Sequence, residues 1–111
     1  METANFDIVQ GDSFVLVVRY TDSNKQPIDL HGYTAEFQVK DQPGGKVVCA
    51  TATSSSGIVI DEVNGKLTVT LTPAQTKKFT VPRAAYQLQI NSGTIKTTIA
   101  TGWFQVEKGL I

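Results

Sequence analysis

A lone histidine, a lone cysteine and a lone tryptophan leave this 111-residue chain little catalytic equipment. His31 would need a nucleophile and an orienting carboxylate beside it to act in a triad. An exposed turn beside Gly32 is the simpler expectation for it. Cys49 has no partner for an intrachain disulfide, so the fold must stand on its core. Its place in an alternating segment points to a buried, inert thiol. One histidine and one cysteine cannot supply a tetrahedral zinc site of the usual ligands. Charge of one sign is missing too: ten basic and ten acidic residues cancel. No basic stripe marks a nucleic-acid binder. No segment approaches the ~20 apolar residues of a membrane helix. The start, Met1 to Asp12, lacks the basic residues and apolar run of a secretory signal. Synthesis in a cytoplasm is expected. The totals therefore set aside a cofactor, a metal, nucleic acid, a membrane and a small-molecule substrate.

The remaining polar clusters fail as motifs. Counting a calcium loop from Asp22 puts Pro27 where glycine is required and Tyr33 where a bidentate glutamate is required. A hydrogen-bonded turn is expected there. Asp61 and Glu62 are adjacent on a strand and point to opposite faces, so they cannot work as an acid–base pair. Gly44-Gly45 lacks the helix and Lys-Ser/Thr of a phosphate loop. Lys77, Lys78 and Arg83 read as a solvated face. Among the aromatics, Tyr86 is expected in the core, while Tyr33 and Trp103 could stack on a sugar if exposed.

What is present is period-two alternation with turn residues between the segments. Phe6 and Ile8 open a strand that Gln10-Gly11-Asp12 interrupts. Phe14, Leu16, Val18 and Tyr20 then share one face, expected to be the core face. Val15, Val17 and Arg19 fall on the other face, so the strand is expected to be partly covered on both sides or to face a partner. Thr21 to Pro27 is a turn. Ala35, Phe37 and Val39 alternate with polar residues. Val47 to Thr53 reads as a strand with Val47 and Cys49 on one face. Val63-Asn64-Gly65-Lys66 predicts a tight type I′ hairpin, with positive φ at Asn64 and Gly65. Thr72 as N-cap and Pro73 at the first helical position predict a short helical turn near residues 73–79, stopped by Val81-Pro82. Ile95 to Trp103 follow one phase and Phe104 and Val106 the other, so a bulge is expected at Gly102.

The expected architecture is all-β: an Ig-like antiparallel sandwich of about seven or eight strands. A chain of this length buries roughly two-thirds of its unfolded surface. It is expected to form one domain over residues 1–111, with 1–4 and 107–111 loose or docked on a partner.

One stretch carries a resemblance. Gln10-Gly11-Asp12, an alternating strand, a polar turn and then Pro27-Ile28-Asp29-Leu30-His31-Gly32-Tyr33 resembles a small Ig-like sandwich of tailed-phage virion proteins. The Thr-Pro-Ala-Gln turn after Leu71 and the Tyr86 strand extend it over nearly the whole chain. It is similar to the N-terminal domain of phage upper baseplate proteins and to tail-fibre attachment domains. Where the more usual spelling is Asp-Leu-Thr-Gly, this chain has His31, which is assigned no role.

The resemblance implies a non-enzymatic structural subunit of a virion, at the baseplate, tail collar, neck or capsid surface. Its partners would be other phage structural proteins and copies of itself in a symmetric ring. The sequence ends soon after the sandwich, so a stand-alone piece is expected rather than a receptor-binding protein. Expected interface residues are Val15, Val17, Trp103, Phe104, Leu110 and Ile111. The alternative is a carbohydrate- or cell-surface-binding module.

Overall fold

The computed structural model describes residues 2–109. These form nine strands and one helical turn: β1 Glu2–Thr3, β2 Phe6–Val9, β3 Phe14–Arg19, β4 Thr34–Lys40, β5 Val48–Thr53, β6 Ile58–Asp61, β7 Lys66–Leu71, α1 Pro73–Thr76, β8 Arg83–Ser92 and β9 Ile95–Glu107. The larger sheet runs β1-β9-β8-β4-β5, with β2 following β1 along the same edge of β9. The smaller sheet runs β3-β7-β6. The all-β sandwich architecture is thus present, with more strands than expected. Alternation fills the space between the sheets. Leu16 and Val18 from β3, Phe37 and Val39 from β4, Leu67, Val69 and Leu71 from β7, and Leu88 and Ile90 from β8 are all buried.

The sandwich is not wholly antiparallel, because β1 and β2 pair parallel with β9. Alternation says which face a residue takes and nothing about strand direction. Two contacts hold this first edge. Tyr86 Oη donates to Ala4 O at 2.7 Å, and the backbone of Ala4 lies directly on Gly102, where any Cβ would collide with its carbonyl. Thr3 lies in β1 opposite Thr101, and Ala4 N–H donates to Thr101 O at 3.2 Å. Glu107 likewise belongs to β9 and accepts from Gln10 N–H at 2.9 Å.

Three local expectations change. The β9 bulge falls at Ile99, not Gly102: Leu88 faces Ala100 while Gln89 faces Thr98. Both Ile99 and Ala100 are buried, so the phase turns three residues earlier. A second bulge sits at Cys49, since Val39 faces Ala50 and Lys40 faces Val48. Cys49 and Ala50 are consequently both buried, and Val47 is exposed ahead of the strand. The β6–β7 hairpin forms, but through the four residues Glu62 to Gly65 with only Gly65 at positive φ, 58°. The chain that crosses this turn packs close: a Cβ at Gly65 would collide with Tyr20 O and Ile28 O.

That crossing chain is the Pro27–Tyr33 corner, which carries the chain from one sheet to the other. Asp29 Oδ1 accepts from His31 N–H at 2.9 Å, closing an Asx turn. Leu30 is fully buried, its N–H bonded to Glu62 O at 2.9 Å. Gly32 takes the positive φ of 81° that returns the chain to β4. Before it, Asp22 Oδ1 accepts from Asn24 and Gln26 N–H, the turn expected in place of a calcium loop.

Helix α1 starts as its sequence demands. Thr72 Oγ1 accepts from Gln75 N–H, and Gln75 Oε1 accepts from Thr72 N–H, a reciprocal capping box. The helix ends in a buried tie not foreseen from sequence. Thr76 Oγ1 donates to Asp12 O at 2.8 Å and accepts from Gly11 N–H at 3.0 Å, fixing the β2–β3 turn.

Candidate assembly surface

The two sheets turn very different outer faces to solvent. On the smaller sheet the register aligns Val17, Thr68 and Val59 in one row and Val15 with Thr70 in the next. Val15, Val17 and Val59 are 58, 45 and 70% exposed. A third row, Arg19–Lys66–Asp61, closes one end with charge. The result is a flat patch of β-branched side chains, held rigid because such residues have few rotamers. Val15 and Val17 were expected here; Val59 was not singled out, though its alternation with Ile58 and Ile60 could have shown it.

The larger sheet presents amides and hydroxyls. Gln38, Gln87 and Thr101 form one row, and Glu36, Gln89 and Thr98 the next. Glu36, Gln38, Gln87, Gln89 and Thr101, with Lys40 and the Gln42–Gly44 loop, line a groove of about 300 Å³. Trp103 lies farther along this face, half-buried, with the Arg83 guanidinium 4.4 Å from its ring centroid. One face of the indole is therefore occupied. Neither Trp103 nor Tyr33, the rings a sugar platform would use, lines the groove.

Phe104 does not belong to any surface. It is fully buried at the middle of an aromatic cluster, 5.0 Å from Phe14, 5.1 Å from Phe79 and 5.2 Å from Tyr86 between ring centroids. Adjacent strand residues face opposite sides, so Trp103 and Phe104 could not both face a partner. Leu110 and Ile111 lie outside the described residues.

The reactive side chains stay apart. His31 is exposed, and its Nδ1 lies 2.6 Å from Glu62 Oε2, which links the corner to the hairpin tip. Cys49 is buried in β5. Among the described residues no three His, Cys, Asp or Glu side chains gather as a metal site, and no helix is long and apolar enough to cross a membrane.

Comparison with known proteins agrees with this geometry. Among solved structures, the N-terminal domain of phage TP901-1 ORF48 superposes with a TM-score of 0.60. It is 19% identical, over 95% of this chain and 86% of that one, a likeness of fold. No curated protein matches the sequence. The model of one family, described as the BppU N-terminal domain, matches residues 3–108. The chain therefore belongs to the BppU N-terminal domain family, the N-terminal domain of baseplate upper proteins, and its role is that of a structural phage protein.

Proposed function

We propose that this chain is a non-enzymatic subunit of a tailed-phage baseplate that works by protein–protein assembly. The observation that carries this reading is the exposed Val15–Val17–Val59 patch on a domain of baseplate family. A flat apolar face on a rigid sheet is costly to leave in water and gains from burial against a partner. Partners are other baseplate proteins and further copies of the chain. Repetition around a symmetric particle raises effective concentration, so modest single contacts suffice. Trp103, stiffened by Arg83, offers a second, smaller contact on the opposite face. The reading involves no turnover, and the placement of His31 against Glu62 at the surface, with Cys49 buried in β5, supports it.

The test is location and dependence. Particles purified from cells producing the phage should carry the chain at the tail tip in immunogold images. A chain substituted Val17→Lys should fold and be depleted from particles at least tenfold. Particles that carry the chain elsewhere, or that carry the variant at wild-type level, overturn the reading.

A further inference from the structure

The edges of the two sheets are not equally protected. At β5 the side chain of Gln75 reaches over and donates to Thr51 O at 3.2 Å. The β1/β2 edge is broken at Ala4–Asn5, where Asn5 Oδ1 takes the Trp103 N–H. Strand β6 is four residues long and ends at Asp61. Strand β3 has none of these devices. Phe14 to Arg19 runs unbroken, without proline, and its register with β7 has no irregularity. Natural proteins ordinarily blunt such an edge, because its free backbone groups recruit another strand.

The direction of those groups follows from the ladder. Tyr20 N–H donates to Gly65 O at 2.7 Å, continuing the β3–β7 register, and Thr70 N–H turns the other way, to Gly57 O. Alternation then points the backbone groups of Leu16 and Val18 at β7. Those of Ser13, Val15, Val17 and Arg19 point outward.

Charge lies at both ends of this edge. Beside its start is a cleft of about 230 Å³ lined by Asp7, Asp12, Glu107, Ser13 and the apolar Ile8, Val9 and Phe14. None of the three carboxylates has an ion-pair partner among the described residues, and the lining contains no basic side chain. At the far end of β3 stands Arg19, exposed and likewise without an ion pair there.

We propose that β3 pairs antiparallel with β3 of a second copy of this chain, about a two-fold axis at Leu16. This deepens the assembly reading above and rests on it. Centring on Leu16 sets Val15 opposite Val17 of the other copy, twice, and Ser13 opposite Arg19, twice. All four outward-directed residues then find backbone partners. Each Arg19 arrives beside the other copy's acidic cleft, so the charges that are unmatched in one chain are matched in two. The axis joins the two small sheets into one of six strands, with the valines of both copies side by side on its outer face. The interface is self-complementary, as a two-fold contact requires, and strand addition is a common mode of protein recognition. An axis at Val17 instead sets Arg19 against Val15, away from the cleft.

Sedimentation of the full chain over a concentration series tests this together with thiol cross-linking. The wild type is expected to dimerise. Arg19→Glu is expected to weaken the dimer about tenfold or more, and adding Asp12→Lys to Arg19→Glu is expected to restore it. Val15→Cys mixed with Val17→Cys should form a disulfide-linked pair, while either variant alone links far less, because only 15 and 17 face each other across the axis. A chain monomeric at every concentration, a dimer indifferent to Arg19→Glu, or equal linking by Val15→Cys alone overturns the pairing. If the monomer still enters particles through Val17, the strand partner is another protein: the pairing falls and the assembly reading stands. If it enters no particle, both fall.

Discussion

The outer faces of the two sheets share one core and one chain yet serve opposite ends. The larger sheet covers itself with Gln38, Gln87, Gln89, Thr98 and Thr101, side chains that water satisfies as well as any partner. The smaller sheet exposes Val15, Val17 and Val59, side chains that water disfavours. Fold stability does not require valine there, since the inward residues of the same strands, Leu16, Val18, Val69 and Leu71, already supply the burial. The contrast is one of clustering: the larger sheet also exposes Val48, beside Lys40, whereas the smaller sheet gathers three exposed valines on one face, and the proposed assembly rests on that gathering.

The most disruptive way to examine this contrast is to remove what both faces stand on. Phe104→Ala takes out the ring that Phe6, Phe14, Phe79 and Tyr86 surround. It should cost about 3–5 kcal/mol in urea unfolding. A much smaller loss means the two sheets are not held by a common aromatic core. Next comes the buried tie between helix and turn. Thr76→Val keeps the volume but strands Gly11 N–H and Asp12 O. A cost of about 1–3 kcal/mol is expected, with faster amide exchange at residues 10–13, at the entry to β3.

Substitutions on the two faces themselves should barely move stability. Val17→Lys and Gln87→Lys are each expected within about 0.5 kcal/mol of wild type. They should part company in assembly, where only Val17→Lys has an effect. Equal effects of the two would erase the distinction between the faces. The smallest change is expected at the corner: His31→Ala removes an exposed side-chain contact with Glu62, worth about 0.5 kcal/mol or less in thermal unfolding.

Much of this was legible in the residues, and the misses have physical causes. Alternation placed Leu16, Val18, Phe37, Val39 and Tyr86 inside and Val15 and Val17 outside, because a strand's side-chain period allows little else. Thr72 and Pro73 announced α1 through capping chemistry that is purely local. Strand direction was not legible, since β1 and β2 lie parallel to β9 through contacts about a hundred residues apart in sequence. The bulges at Cys49 and Ile99 were hidden because either phase of those segments offers an apolar face. Asn64-Gly65 promised a tighter turn than forms, and the corner from Tyr20 to Ile28 that packs on Gly65 leaves no local signal. Phe104 was assigned outward with Trp103 by reading a continuous terminal patch, against the alternation that sends neighbours to opposite sides. Val59 was passed over between two isoleucines, although its phase marks it as outward. For the assembly surface, sequence supplied the strand and structure supplied the width of the patch.

The central claim is that the smaller sheet is the contact side. Quantitative mass spectrometry of purified particles carrying wild-type, Val17→Lys or Gln87→Lys chains tests it directly. The account predicts wild-type abundance for Gln87→Lys and at least a tenfold depletion of a folded Val17→Lys chain. Val17→Lys incorporated as fully as wild type, or Gln87→Lys depleted in its place, would contradict it.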